Sequence, residues 1–192
     1  MRNHLRGLAA AAAIALAAPA TLTATLTAPT PASAAEETSA TAEEVITKVL
    51  EAARFLHDKG QAGFADFNNN ARWVWKDSYV FVFSCLDNRM IAHPLRPDLV
   101  GRPILQMEDE KGNMLFQELC AAGESPEGGW VEYWWPRPGE AKASRKISYT
   151  TSTEVSFQPD VRVAAGIYDD SMSLEDLDAL TERAVRPKKD AP

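Results

Sequence analysis

Residues 128–136 read Gly-Gly-Trp-Val-Glu-Tyr-Trp-Trp-Pro, an aromatic run whose face assignment decides how the rest of the chain is arranged. In an extended strand successive side chains point to opposite faces, so Val131, Tyr133 and Trp135 share one face and Trp130, Glu132 and Trp134 the other. One face must pack against a helix as core, which leaves the other to line a cavity or meet solvent. Core packing alone accounts for any one of these aromatics. Neighbouring segments, however, add His93, Lys146 and Tyr149, and a lysine inside a strand is costly to bury unless an anion meets it. A solvated edge position is the alternative for Lys146.

Working outward, Tyr79-Val80-Phe81-Val82-Phe83 is a nearly continuous apolar run, too short for a typical helix, and reads as a core strand. Asp87-Asn88-Arg89 supplies turn chemistry, and Met90 to His93 returns as a second strand that Pro94 stops, making a hairpin. Downstream of Trp130–Trp135, two further strands are expected over Lys146–Thr153 and Val161–Tyr168. The intervening breaks, Pro136 to Gly139 and Gln158-Pro159-Asp160, predict adjacent antiparallel pairing. Upstream, Thr41 with Glu44 forms a capping-box signature, and Val45, Ile46, Val49, Leu50, Ala53 and Leu56 recur at helical spacing, which predicts a helix over 42–58. A short helical turn carrying Phe64 and Phe67, a helix at 113–122 and a last helix at 173–184, opened by Ser173 and Asp176, complete the pattern. The fold class is α+β: one long N-terminal helix packed on a central antiparallel sheet of about five strands.

The ends carry a different signal. Arg2, His4 and Arg6 precede an apolar run from Leu8 to Ala18, and small residues follow up to Ala32-Ser33-Ala34. This is the pattern of a secretory signal cleaved before Ala35; Pro19, Pro29 and Pro31 argue against a membrane anchor, so no membrane span is expected once the signal is removed. The expected organisation is a signal peptide over 1–34, a disordered leader over 35–41, one domain over 42–170, and a C-terminal helix and tail over 171–192. Loss of residues 1–34 removes two arginines and no acid, leaving 18 basic against 27 acidic residues. A surface of that sign repels phosphate backbones, and nucleic-acid binding is disfavoured.

Chemistry-bearing motifs are thin. His4 leaves with the signal, and His57 and His93 do not form a pair with ligand spacing, so no metal site is expected. There is no Gly-x-Ser-x-Gly, phosphate-binding loop or dinucleotide fingerprint. No nucleophile with its base is legible, no cofactor is implied, and an enzyme ranks third, behind a binding module and a structural domain. Cys85 and Cys120 are the two cysteines of a chain expected in an oxidising compartment, which makes them a disulfide candidate; two buried free thiols are the alternative.

Several short motifs then occur in one order: Tyr79-Val80-Phe81-Val82, Ala92-His93-Pro94, Leu99-Val100-Gly101, Asp109 with Gly112, the 128–136 run, Lys146-Ile147-Ser148-Tyr149 and Ala165-Gly166-Ile167-Tyr168. In that order they resemble single Cache domains of the second type, over about residues 42–170, in a free-standing exported form without the transmembrane helix and signalling module that usually follow. The resemblance implies a PAS-like fold with a ligand cavity on the sheet face away from the long helix, and an extracytoplasmic sensor of small ligands, often short carboxylates. Carried onto this chain, it makes His93, Tyr133 and Lys146 the cavity candidates, with Trp75, Tyr79, Trp135 and Tyr149 as further walls subject to strand parity. The expected function is binding of a small organic anion in the periplasm or outside the cell, with a membrane receptor or transporter as partner. Two other readings stand beside it: a structural or protein-interaction domain without a ligand, and a carbohydrate-binding surface built on Trp130 and Trp134.

Overall fold

The computed structural model describes residues 38–69, 71–169 and 171–185; the expected signal segment lies outside them. Helix α1 spans Ala42–Lys59 and opens as its sequence dictates. The Thr41 hydroxyl accepts from Glu44 N–H and the Glu44 carboxylate accepts from Thr41 N–H, a complete capping box. Its buried stripe of Val45, Ile46, Val49, Ala52 and Leu56 lies across the sheet. The chain is already fixed before the helix: Ala40 is buried and its N–H donates to Asp77, so the expected disordered leader ends short of residue 41.

After α1 come a 3-10 turn at Gly60–Gly63, helix α2 (Asp66–Asn69) and a two-stranded ribbon, β1 (Val74–Trp75) with β2 (Ser78–Tyr79). The main sheet is built from β3 (Phe81–Ser84), β4 (Arg89–Ala92), β5 (Gly129–Pro136), β6 (Ala143–Val155) and β7 (Gln158–Ile167), in the order β4-β3-β7-β6-β5 with every pairing antiparallel. The strand expected over 79–83 is thus two elements. Tyr79 pairs with Val74 in the ribbon, Val80 N–H turns to the Trp73 carbonyl, and only from Phe81 does the chain join β7. Apolar continuity cannot reveal a change of hydrogen-bonding partner.

Both sheet faces are covered. On one, α1 and helix α4 (Leu174–Val185) bury Val80, Val82, Trp130, Ile147, Tyr149, Val163 and Ala165, and the Trp130 indole N–H donates to the Thr181 hydroxyl at 2.7 Å. The expected tail helix is therefore part of the core. On the other face, helix α3 (Leu115–Ala122) and the loop before it bring Leu99, Ile104, Leu115, Phe116 and Leu119 against Phe81, Phe83 and Val131. Helix α3 begins two residues later than expected, because Asn113 is held outside it. Burial would raise the Asp109 carboxyl, but N–H donors from Asn113, Trp134 and Lys111 outweigh it and hold that group below its ordinary range. Cys85 at the end of β3 and Cys120 in α3 form a disulfide, Cα atoms 5.9 Å apart. It ties the covering helix to the sheet.

Candidate ligand site on the face away from the long helix

Strand pairing decides which of the expected residues meet. Tyr133 of β5 stands opposite Lys146 of β6, so both project to the face away from α1. Lys146 is 1% exposed and its Nζ has no hydrogen-bond partner among the described residues. Rings surround that nitrogen instead: Tyr79 with its centroid at 4.1 Å, Tyr168 at 5.3 Å, Phe81 at 5.5 Å and Tyr133 at 6.0 Å. Cation–π attraction recovers part of the ammonium's lost hydration. Burial nevertheless dominates and lowers the amine from its ordinary value to about 7, with the Asp77 carboxylate opposing weakly.

The backbone explains how a long side chain fits here. Gly166 on β7 pairs with Ser148, and a Cβ placed at Gly166 would lie 2.8 Å from Lys146 Cε. The absence of a side chain at 166 is what gives the lysine stem its bed. Ser148, two residues on and on the same face, shares a 2.8 Å hydrogen bond with the Tyr133 hydroxyl.

His93, just past β4, joins the same cluster. Its ring lies 4.9 Å from Tyr79 and 5.8 Å from Phe81, centroid to centroid. Nδ1 accepts from the N–H groups of Leu95 and Arg96, and the peptide N–H of His93 donates to Asn68 Oδ1. An acceptor Nδ1 places the ring proton on Nε2 in the neutral form. Burial, with the positive charges of Lys146 and Arg96 adding to it, lowers the imidazole to about 3. His93 is therefore a neutral N–H donor at all ordinary pH values.

Tyr79 is shared between this cluster and a cavity of about 240 Å³ lined also by Leu95, Arg96, Trp135 and the 136–141 turn. The Arg96 guanidinium lies 5.9 Å from the Trp135 ring, and Arg137 is held by Asp77 and the Tyr168 carbonyl. Two arginines thus border the cavity, each already paired, Arg96 with both Asp98 carboxylate oxygens and Arg137 with Asp77. A larger groove of about 510 Å³ at the far end of β6 is lined by Glu124, Glu154 and Asp160 with Arg162. There Arg162 is already paired with Asp160, and no aromatic wall accompanies it.

Of the seven residues named from the sequence, five meet on this face: Tyr79, His93, Tyr133, Trp135 and Lys146. Two do not. Tyr149 is on the opposite face by parity, within the α1 core, and its hydroxyl donates to the Glu127 carbonyl. Trp75 sits outside beside Glu43, Glu44, Thr47 and Lys48, because the ribbon carries it away from the main sheet. The sugar-binding pair is not formed either: Trp130 is buried against α4, whereas Trp134 lies under the Lys111 ammonium. Sequence reasoning did not single out Phe81, Ser148, Tyr168, Arg96 or Arg137. For Ser148 the signal was available, since it lies two residues from Lys146; the arginines sit in proline-rich loops with no period to read.

A long helix packed on a five-stranded antiparallel sheet is the PAS-like architecture of Cache domains, a class of sensory ligand-binding modules and not enzymes. The Cache domain family model matches residues 32–173, and the chain belongs to that family. Over 100 residues, 52% of the chain, it is 30% identical to the methyl-accepting chemotaxis protein McpP of Pseudomonas putida KT2440, and it spans 18% of that receptor's length. Among solved structures it is similar to a methyl-accepting chemotaxis protein of Vibrio parahaemolyticus, with TM-score 0.56 at 18% identity over 68% of this chain and 90% of that one. It is also similar to a Cache chemosensory domain solved to explain carboxylic acid recognition, with TM-score 0.50 at 27% identity over 65% of this chain and 86% of that one. Among the described residues no helix is long and apolar enough to cross a membrane.

Proposed function

We propose that this domain binds a short monocarboxylate on the sheet face away from α1, with Lys146 as the charged anchor. One observation carries the reading: a fully buried lysine nitrogen, caged by aromatic rings, that no group among the described residues satisfies. Leaving such a group unpaired costs about 1–3 kcal/mol or more, and an anion that meets it recovers that cost. The His93 Nε2–H offers a second donor, and Tyr79, Tyr133 and Trp135 form the walls. The cavity of about 240 Å³ that adjoins the Lys146 cluster through Tyr79 and Trp135, without being lined by Lys146 itself, is below the size that drug-like ligands occupy and suits an acid of a few carbons. The carboxylic acid recognition ascribed to a similar Cache domain supports the same ligand class.

The domain works in an oxidising, extracytoplasmic compartment, supported by the N-terminal Ala-x-Ala pattern and by the Cys85–Cys120 bond. The occupied state is passed to a membrane receptor or transporter. The test is calorimetry of the purified domain with acetate, propionate, glycine and glucose. Binding of the two acids, lost in Lys146→Met while the variant remains folded by circular dichroism, supports the reading. Saturable binding of glucose alone refutes it.

A further inference from the structure

The same cluster has a property that a simple anion site does not need. An arginine would anchor a carboxylate with a permanent charge and a two-pronged fork, whereas a lysine buried among rings can lose its proton and become a nucleophile. We propose that Lys146 also captures 2-oxo acids covalently and reversibly, as an imine between Nζ and the ligand's carbonyl carbon; this rests on the carboxylate site described above.

Three features converge on it. Nζ has no hydrogen-bond partner and makes no ion pair among the described residues, so its lone pair is not engaged when the proton is absent. The nearest carboxylate to influence it, Asp77, is already taken by the Ala40 N–H and by Arg137. Burial then favours the uncharged amine more than the ring faces favour the ammonium, which lowers it to about 7. Hydroxyl and ring donors lie on the same face: the Ser148–Tyr133 pair, and His93, which shares the Tyr79 ring with Nζ. In a three-carbon 2-oxo acid the carboxylate and the carbonyl are adjacent carbons. An acid whose carboxylate accepts from the His93 Nε2–H, beside the Tyr79 ring that also faces Nζ, therefore carries its carbonyl carbon one bond away on the Lys146 side.

The step balances without an oxidant or reductant. The neutral Nζ lone pair forms a C–N bond to the carbonyl carbon as the C=O π bond breaks, and the oxygen takes one of the two Nζ protons to give a carbinolamine. The C–O bond then breaks, the oxygen leaves as water with the second Nζ proton, and the electron pair of that N–H bond closes the C=N bond. Water reverses both steps, which is what a sensor requires.

Charge capture and imine capture depend on pH in opposite directions. A simple carboxylate needs the ammonium, so its affinity falls as pH rises through about 7, while imine formation begins from the neutral amine. The other groups facing Nζ do not titrate in that window. His93 stays neutral down to about 3, burial raises Tyr79, Tyr133 and Tyr168 above their ordinary range, and Arg96 stays charged.

The test uses the whole exported chain with pyruvate and sodium cyanoborohydride at neutral pH, followed by peptide mass mapping, with propionate calorimetry in parallel. Propionate has the same carbon skeleton and no ketone. The expected result is a carboxyethyl group on Lys146, at about tenfold or more over any other lysine, suppressed by excess propionate. Lys146→Arg is expected to retain propionate binding and to lose any preference for pyruvate. If propionate binds and Lys146 is not modified above the other lysines, the covalent step is wrong and the carboxylate site stands. If the adduct forms but propionate does not suppress it, Lys146 is merely reactive and the proposal fails. If propionate does not bind and no adduct forms, both readings fail.

Discussion

Strand β6 alternates Lys146 and Ser148 with Ile147 and Tyr149, and its two faces follow different rules. On the α1 side, Ile147 packs among valines and leucines, Tyr149 finds the Glu127 carbonyl, and Trp130 finds Thr181. On the other side the equally buried Lys146 is left without a partner among the described residues. The difference teaches where stability is gained and where it is given up. Apolar burial on the α1 face, where the Trp73 indole N–H also lacks a partner among the described residues, supplies the free energy that lets the other face hold an uncompensated amine.

Substitutions on the two faces are therefore expected to behave differently. Trp130→Ala removes a buried indole and its hydrogen bond from the α1 side and is expected to cost about 3–5 kcal/mol in urea unfolding. The fraction that remains folded should bind propionate as the parent does. Weakened binding at unchanged stability would break the separation of the faces.

Removing the disulfide by Cys85→Ser with Cys120→Ser acts on the covering helix. For a separation of 35 residues the chain-entropy model gives a loss of about 4 kcal/mol. The denaturation midpoint should fall accordingly, and reducing agent should lower the parent to the level of the variant. A midpoint indifferent to both would mean that α3 is held by packing alone.

Lys146→Met reverses the sign. Replacing an unsatisfied buried amine by an apolar side chain of similar length is expected to raise stability by about 1–3 kcal/mol at pH 6. At the same time it should abolish propionate binding. The sign follows from linkage. The folded amine titrates near 7 and the unfolded one near 10.5, so the parent gains stability as pH rises from 7 towards 10.5 and lacks it below 7. The variant should lose that alkaline gain. A destabilised variant would show that the ammonium, not the cage, is what the fold uses.

His93 sets a smaller, acidic window. Its folded value near 3 is below the ordinary 6.5, so the stability it contributes is complete above 6.5 and is lost as pH falls towards 3. His93→Asn should flatten that part of the stability profile; an unchanged profile would place the acid sensitivity elsewhere.

What could be read beforehand followed from period and punctuation. The helix over 42–58 was legible because a capping box and an apolar stripe agree, and β5 because Pro136 closes it; the break expected at Gln158-Pro159-Asp160 instead lies inside β7, the turn falling at Ser156 and Phe157, so that β6 and β7 are longer than proline punctuation suggests. Parity put Tyr133 and Trp135 on one face, but it could not say which face met α1. That choice fell to the docking of α1 and α4 on Trp130 and Ile147. For Tyr149 the signal was in the sequence: it stands three residues from Lys146 on one strand, and that odd spacing puts the two on opposite faces. Trp75 and Tyr79 are close in sequence but diverge because Val80 changes partner, a tertiary event without a local signature. The arginines bordering the cavity, Arg96 and Arg137, come from loops whose path no pattern predicts.

The most direct measurement of the central claim is the titration of the Lys146 side-chain nitrogen by NMR in the domain labelled at lysine, with and without propionate. The ligand-free amine is expected to titrate near 7 and to move upward by more than one pH unit when propionate occupies the site, because the bound carboxylate stabilises the ammonium. A nitrogen that titrates near 10.5 in the free domain and does not move on adding propionate would contradict both the uncompensated amine and its role as the anion anchor.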